Sequence, residues 1–339
     1  MGGKAMAPYS IGLWVTEACD LNCPMCWVDS GRSDADSAGK PLEKEDWFRL
    51  IDELVEWMPR LTITGGEPLL VQYTVDLVRY AAGGGFRVNL GTNGTRLKDY
   101  AKELVMSGLQ DLSISLDGPR DVHDNLRGKQ GAFDAVGDGV RKVVEMKGKA
   151  HRALPFIRLN CTLTNANQGC LRDVVTLAEN WGVDSLSFQH MWYTTPETLH
   201  NHNDQFRAVF GQESPNLSGF LVNGWAPDPT YLAKELHRLS GNSGNHLPMY
   251  VYPELDALQI QKFYHQSDAA LREKCRSRWF RTDIKPNGDV SPCLSFIVGN
   301  IREASFGDIW NNDRYRMFRR QILTGLFPGC YRCCGLFSD

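Results

Sequence analysis

The amino-acid sequence predicts an α/β fold, a parallel sheet covered by helices, from three observations. Short apolar runs alternate with segments of helical periodicity in six strand-then-helix units of about 30 residues each. Glycine or polar residues follow one predicted strand after another, at the end of the strands where α/β barrels place their chemistry. Eight of the ten cysteines form two clusters, one near each end of the chain.

The predicted elements follow in order along the chain. The apolar run 10–15 is the first strand, and the first helix, 43–58, places Trp47, Leu50 and Ile51 on one face. The remaining strands are predicted at 61–64, 87–90, 112–116, 156–163 and 185–188, and the remaining helices at 71–82, 97–107, 133–146 and 171–181.

The regular alternation of predicted strands and helices ends after residue 189. Residues 190–268 contain a polar and aromatic stretch, a helix at 231–239 and an apolar β-like piece at 249–252. We interpret them as the sixth crossover carrying a long insertion, which in a compact domain is commonly functional. The predicted domains are a core at 1–189, the insertion at 190–268 and a cysteine-containing domain at 269–339.

Composition excludes several classes of protein. The chain has 42% hydrophobic and 23% charged residues and a formal net charge of −3, so we expect no nucleic-acid or anionic-membrane partner. It has no apolar run of transmembrane length, and the first ten residues lack a signal-peptide core, so we expect a cytoplasmic protein. In a reduced compartment its cysteines are expected to act as metal or catalytic ligands.

The first cysteine cluster has the spacing C-x3-C-x2-C. Cys19, Cys23 and Cys26 follow the first predicted strand. Three thiolates are one short of the four that close a four-iron cluster, so one iron would stay open to an outside ligand. A zinc knuckle is the alternative, but zinc sites usually pair two such hooks, and no second hook lies nearby.

The second cluster could ligate a complete four-iron cluster. It comprises Cys275, Cys293, Cys330, Cys333 and Cys334. Four thiolates saturate such a cluster, and the fifth cysteine leaves open whether Cys333 or Cys334 is the fourth ligand. A structural zinc site remains an alternative on spacing alone. The histidines at 190, 200 and 202 are spaced irregularly, which favours substrate contact or solvation over metal binding.

Several residues at predicted strand ends are candidates for ligand binding. Gly65 and Gly66, within Gly65-Gly66-Glu67-Pro68, would allow close approach of the backbone to a ligand. Alternation points Ser113, Ser115 and Asp117 to one face, although Asp117 could instead be a turn residue. Other candidates, each with a structural alternative, are Trp27 (packing), Asn93 (turn geometry) and Arg127 (a surface ion pair).

With these motifs the sequence resembles the radical S-adenosylmethionine (SAM) superfamily. The resemblance implies a partial (β/α)6 TIM-like barrel in which a [4Fe–4S] cluster on the three cysteines cleaves SAM to a 5′-deoxyadenosyl radical. It also implies the cofactor contacts. Gly66 and Glu67, in the motif that ends with Pro68, would meet the amino group of SAM, Arg127 its carboxylate and Trp27 its adenine. Ser113, Ser115 and Asp117 would hold ribose or substrate, and the Thr-Asn-Gly turn at Asn93 is common in the family.

The C-terminal region resembles the SPASM and twitch extensions of the same superfamily. Gly288 to Cys293 matches their G-x4-C hairpin. The resemblance implies one auxiliary [4Fe–4S] cluster with a role in electron transfer. The expected activity is abstraction of hydrogen from a C–H bond, with flavodoxin or ferredoxin as the electron donor.

The substrate is less defined than the chemistry. Only 18 residues precede Cys19, so we expect no leader-binding domain. The expected substrate is therefore a small molecule, such as a sugar, aminocyclitol or nucleoside in an antibiotic or cofactor pathway. A ribosomally made peptide is the alternative. A non-catalytic iron–sulfur or zinc module would leave the strand-end residues unexplained.

Overall fold

The computed structural model describes residues 2–26, 28, 39–214, 217–221, 224–240, 247–268, 270–293 and 296–337. The strands are β1 Ser10–Trp14, β2 Arg60–Thr64, β3 Val88–Thr92, β4 Asp111–Ser115, β5 Phe156–Leu163, β6 Ser185–His190, β7 Met249–Tyr252, β8 Arg281–Ile284, β9 Asp289–Ser291 and β10 Gly299–Asn300. The helices are α1 Lys44–Leu54, α2 Thr74–Gly83, α3 Leu97–Met106, α4 Arg120–Arg127, α5 Ala132–Lys149, α6 Leu171–Trp181, α7 Pro196–Phe210, α8 Pro229–Ser240, α9 Ala257–His265, α10 Phe306–Trp310 and α11 Asp313–Thr324.

These strands form one sheet in the order β10-β9-β8-β1-β2-β3-β4-β5-β6-β7. Eight neighbouring strands, from β8 through β1 to β7, run parallel, which confirms the α/β class. The sheet is wider than the six predicted strands, because β7 pairs with β6 and β8 pairs with β1. The β8–β9 hairpin therefore joins the predicted cysteine-containing domain directly to the sheet of the core.

Alternation within the strands separates a core face from a polar face. Apolar residues at every second position of β1 to β6 are fully or almost fully buried. They are Ile11, Leu13, Leu61, Ile63, Val88, Leu90, Leu112, Ile114, Ile157, Leu159, Leu186 and Phe188. The intervening positions carry small or polar residues, such as Thr62, Ser113 and Asn160. This second face supplies the lining of the site described below.

The insertion contains a helix that periodicity did not predict. Thr195 caps the N-terminus of α7, since its hydroxyl accepts the N–H of Thr198 at 3.1 Å, and Gly211 in the left-handed conformation caps its C-terminus. Phe206 on its buried face packs against Phe327, with ring centroids 5.1 Å apart. The insertion thus packs against the segment that carries the last cysteines.

The N-terminal segment is bound to the C-terminal helices. Ala5 N–H donates to Asn311 Oδ1 at 2.9 Å, and Trp310 Nε1 donates to the Met6 carbonyl at 2.5 Å. Arg319 Nη1 also donates to the Gly3 carbonyl at 3.3 Å. These contacts hold α10 and α11 against the segment that precedes β1. No described helix is long and apolar enough to cross a membrane.

Candidate active site

A cleft of about 370 Å³ lies at the C-terminal ends of the parallel strands. Residues on or after six consecutive strands, β1 to β6, contribute to it, so the sheet curves around the cleft as an incomplete barrel. The lining residues are Cys19, Leu21, Cys23, Cys26, Thr64, Gly65, Gly66, Gly91, Thr92, Asn93, Ser113, Ser115, Arg127, Asn160 and Gln189. The structure therefore brings the three cysteines together with most of the predicted strand-end residues. Trp27 lies outside the described residues.

The glycine pair after β2 anchors the cysteine loop. Gly66 N–H donates to the Thr16 carbonyl and Glu67 N–H donates to the Ala18 carbonyl, both at 2.8 Å. A β-carbon on Gly65 would collide with the backbone of Thr16, and one on Gly66 would collide with that of Ala18. Gly65 also has φ +146°, a conformation that side chains disfavour. The pair is needed for contact with the protein's own loop, in addition to the ligand contact predicted from the sequence.

The Glu67 carboxylate is fully buried and does not line the cleft. Its oxygens accept the N–H of Leu69 at 2.9 Å, the hydroxyl of Thr92 at 2.8 Å and the N–H of Asn93 at 2.7 Å. Burial raises the pKa of Glu67 to about 7, although these three donors oppose the shift. This geometry therefore does not support the predicted contact between Glu67 and the amino group of SAM. The Glu67 carboxylate instead connects the ends of β2 and β3 through its hydrogen bonds. Pro68 is also buried and begins a short 3₁₀ turn.

Asn93 connects this network to the first cysteine. Its Nδ2 lies 3.5 Å from Cys19 Sγ and donates to Asp20 Oδ1 at 2.9 Å. Thr95 Oγ1 donates to the other oxygen of Asp20 at 2.8 Å, and Lys129 Nζ lies 2.9 Å from it. Asn93 is thus more than a turn residue, since its amide group contacts the side chains of Cys19 and Asp20 at the start of the cysteine loop.

Arg127 approaches the second cysteine from α4, a helix that the sequence did not predict. Its Nη1 lies 4.0 Å from Cys23 Sγ, and its carbonyl accepts the N–H of Asn22 at 3.2 Å. Its Nη2 lies 2.7 Å from Asp117 Oδ2, and the side chains of Arg127 and Asp117 are 12% and 0% exposed. The surface ion pair considered for Arg127 is therefore a buried one.

Asp117 does not reach the cleft, which departs from its predicted contact with ribose or substrate. Its Oδ1 accepts the N–H of Thr162 at 2.9 Å, and its own N–H donates to His123 Nδ1 at 3.1 Å. Burial raises the pKa of Asp117, and the Arg127 guanidinium counteracts this. Burial also disfavours the charged form of His123 and therefore lowers its pKa to about 3. Asp117 acts on the cleft indirectly, by fixing the guanidinium of Arg127.

The β4, β5 and β6 ends supply the polar wall of the cleft. Ser113 Oγ donates to Asn89 Oδ1 at 3.0 Å, whereas Ser115 pairs in register with Asn160 of β5. Neither Asn160 nor Gln189 was predicted, because neither belongs to a recognisable motif. Alternation could have found Asn160, which occupies the inward face of a correctly predicted strand.

The donor set fits an iron–sulfur cluster with SAM beside it. Burial raises the pKa of both Cys19 and Cys23, so their free thiols are protonated and lose protons when they bind metal. Among the described residues, Asn160 Oδ1 and Arg127 Nε are buried atoms without a hydrogen-bond partner, and both residues line the cleft. Such atoms are expected where a polar ligand binds. Within the residues that the structure describes, no group of three or more His, Cys, Asp or Glu is arranged to bind a single metal ion.

The second cysteine group lies around the β8–β9 hairpin and the C-terminal turns. Cys275 and Cys333 are buried, Cys293 and Cys330 are half-buried, and Cys334 is exposed. Burial raises the pKa of Cys330, and the neighbouring thiols of Cys293 and Cys275 raise it further. Four thiols suffice for a fully ligated four-iron cluster, and Cys333 is buried whereas Cys334 is exposed, which favours Cys333 as the fourth ligand.

The histidines of the insertion have structural positions. His190 Nδ1 is 2.9 Å from Tyr264 Oη, and His202 Nδ1 accepts the N–H of Gly329 at 3.1 Å. Both side chains are buried, and burial lowers the pKa of each to about 4. Only His200 is exposed, where it pairs with Asp204. The expected substrate contact or solvation is thus wrong for His190 and His202, which are packing residues outside the cleft.

Comparisons with known proteins give the family. The model of the radical SAM superfamily matches residues 15–157, and that of an iron–sulfur cluster-binding domain, SPASM, matches residues 275–334. The mycofactocin maturase MftC of Mycolicibacterium smegmatis is 30% identical over 96% of this chain and 76% of its own length. The chain belongs to the radical SAM superfamily. Its cofactors are accordingly SAM and iron–sulfur clusters, and it is an enzyme with a SPASM domain.

Other radical SAM relatives have names that refer to different reactions. An AdoMet-dependent heme synthase of Methanosarcina barkeri is 27% identical over 90% of this chain and 83% of its own length. A PqqA peptide cyclase of Bradyrhizobium diazoefficiens is 26% identical over 91% and 75%. The crystal structure of Streptococcus suis SuiB bound to the precursor peptide SuiA shares the fold, with a TM-score of 0.67 at 16% identity over 93% of this chain and 67% of SuiB.

Proposed function

We propose that this radical SAM enzyme uses a 5′-deoxyadenosyl radical to abstract hydrogen from a C–H bond of a ribosomally made peptide. The observation that carries the radical chemistry is the single cleft in which Cys19, Cys23 and Cys26 meet the glycine pair and the polar strand ends. These three cysteines would hold a four-iron cluster, which would supply the electron for reductive cleavage of the sulfonium of SAM. The chain itself supplies positioning and a site away from bulk water.

The residues around the cleft take distinct parts in this proposal. Arg127 presents a guanidinium, with one buried nitrogen still without a partner among the described residues, to the carboxylate of SAM. Asp117 and Glu67 hold that guanidinium and the cysteine loop in place from outside the cleft. Ser115, Asn160 and Gln189 form the wall toward ribose and substrate. Amide side chains both donate and accept hydrogen bonds, so they suit a peptide backbone.

The relatives support a peptide over the sugar, aminocyclitol or nucleoside expected from the short N-terminal segment. One is named as a maturase and another as a peptide cyclase, and this chain spans at least three quarters of each. Flavodoxin or ferredoxin remains the predicted electron donor. The auxiliary cluster on Cys275, Cys293, Cys330 and Cys333 is proposed to exchange an electron with the substrate radical.

A tetrapyrrole is the second candidate substrate. It is favoured by the heme synthase relative, of which this chain spans 83%. The two candidate substrates require different binding sites, because a porphyrin presents a rigid ring with carboxylates whereas a peptide presents repeating amides.

Deuterium transfer separates the candidates. Anaerobically reconstituted protein would be given SAM, a chemical reductant and either deuterated precursor peptides encoded beside the gene or a deuterated iron porphyrin precursor. We expect deuterium in 5′-deoxyadenosine and a mass change in a peptide. Transfer from the porphyrin alone would overturn the peptide proposal, and Cys23→Ala is the control that should show no transfer from either.

A further inference from the structure

A buried guanidinium lies beside the C-terminal cysteines. Arg278 sits in the 3₁₀ turn Ser277–Trp279, three residues after Cys275, and is 7% exposed. A β-carbon on Gly335 would lie 2.6 Å from Arg278 Nη2 and 3.4 Å from Cys333 Sγ. The guanidinium and the thiol therefore lie against the same face of Gly335.

The backbone of Arg278 is fixed by a second buried arginine. Arg319 Nε donates to the Arg278 carbonyl at 2.8 Å. The Arg319 guanidinium lies 4.2 Å from the ring centroid of Trp310 and 3.7 Å from that of Tyr315. Since Arg319 is fully buried, this support has little freedom to move. The position of Arg278 is thus determined by the packing of α10 and α11.

The groups that act electrostatically on Arg278 are mainly thiols. Burial lowers the pKa of Arg278, but negative charge on Cys293, Cys275 and Cys333, and then on Asp283, raises it by more. A guanidinium this far from water is costly unless an anion balances it. Thiols that stay protonated provide no such charge, so the arrangement suits an anionic occupant held by thiolates.

A neighbouring hydroxyl acts on the same site. Ser277 Oγ is 3.3 Å from Cys275 Sγ and is fully buried. Net charge, hydrogen bonds to sulfur and solvent exposure set the reduction potential of an iron–sulfur cluster. One-electron reduction adds a negative charge, and a fixed cation nearby stabilises the more negative state.

We propose that Arg278 raises the reduction potential of the auxiliary cluster and so makes that cluster a better electron acceptor. The inference rests on the C-terminal cysteines holding that cluster, and it is independent of the identity of the substrate. Iron and sulfide content test the first point, and the potential tests the second, so the two can fail separately.

The experiment uses the full chain with Cys19, Cys23 and Cys26 changed to Ala, so that only the auxiliary site is loaded. After reconstitution with iron and sulfide, a potentiometric titration followed by electron paramagnetic resonance gives the midpoint potential. Arg278→Gln removes the charge, Arg278→Lys keeps it, and Arg276→Gln is a matched control because Arg276 is an exposed arginine beside the same cysteine.

We expect a more negative midpoint potential for Arg278→Gln, a smaller shift for Arg278→Lys and none for Arg276→Gln. An unchanged potential in Arg278→Gln at full cluster content would overturn the proposal. Should that variant fail to bind a cluster, protein labelled with ¹⁵N-arginine decides the matter. A nitrogen hyperfine coupling to the reduced cluster that disappears in Arg278→Lys supports the role, and absence of any coupling refutes it.

Discussion

Replacing Asp117 with Asn tests the buried pair that positions Arg127. The two charges are 2.7 Å apart, with side chains 0% and 12% exposed. At an effective dielectric constant of 20, their direct attraction is about 6 kcal/mol. Removing one partner leaves the other charge buried, which typically costs about 3–5 kcal/mol. Since a domain is stable by only about 5–15 kcal/mol, this loss would be a large fraction of the total.

Asp138→Asn is the matched control. Asp138 also lies 2.7 Å from an arginine, Arg141, but both side chains are about half exposed. An exposed pair contributes about 0–1 kcal/mol. Urea unfolding of the cluster-free proteins, followed by circular dichroism, gives both values.

A double variant separates loss of the pair from loss of the fold. Removing Asp117 and Arg127 together leaves neither buried charge unpaired, so Asp117→Asn/Arg127→Gln should destabilise by less than the sum of the single changes. Equal destabilisation by Asp117→Asn and Asp138→Asn would refute the assignment of a positioning role to Asp117. Strict additivity in the double variant would refute it as well.

Three further predictions concern the cysteines, the loop and pH. Cys333→Ser should abolish the auxiliary cluster while Cys334→Ser retains it, as measured by iron content; the opposite result would reverse the ligand assignment. Gly66→Ala should displace the cysteine loop and lose the first cluster only, whereas Gly83→Ala, whose added β-carbon would meet no other atom within 4 Å, should keep both; two clusters in Gly66→Ala would contradict the anchoring role. The pKa of His190 is about 4 when folded and near 6.5 when unfolded, so its contribution is complete above pH 6.5 and declines as the pH falls toward 4. His190 contributes roughly 3 kcal/mol to the decline measured by urea unfolding of cluster-free protein, and His190→Asn should reduce the decline by that amount. Part of the decline should remain, because burial also lowers the pKa values of His202 and His123; a pH profile unchanged by His190→Asn would contradict the contribution of His190.

The sequence predicted those parts of the site that depend on spacing along one element. Cysteine spacing identified the loop, and alternation in β4 placed Ser113 and Ser115 on the inward face, where the structure has them. The strands β2 to β6 were predicted within a few residues for the same reason, since a buried strand carries its pattern locally. β7 was predicted as the apolar β-like piece at 249–252, but its pairing with β6 and the pairing of β8 with β1 were not predicted, because these pairings join segments that are distant in the chain.

Other features depended on which residues meet in space. Glu67 and Asp117 have the residue types expected of ligand contacts, yet both carboxylates are turned to partners on neighbouring segments. Burial of His190 and His202 likewise comes from packing of the insertion, which has no strong periodicity. Arg278 was not predicted because nothing in its local sequence indicates that the guanidinium would be buried among thiols.

Release of 5′-deoxyadenosine is the measurement that tests the central claim most directly. Reconstituted, reduced protein given SAM should form it under anaerobic conditions and should hold iron and sulfide for two four-iron clusters. Cys23→Ala should retain the auxiliary cluster and release none. Equal release by both proteins would contradict the claim that this three-cysteine cleft is where SAM is cleaved.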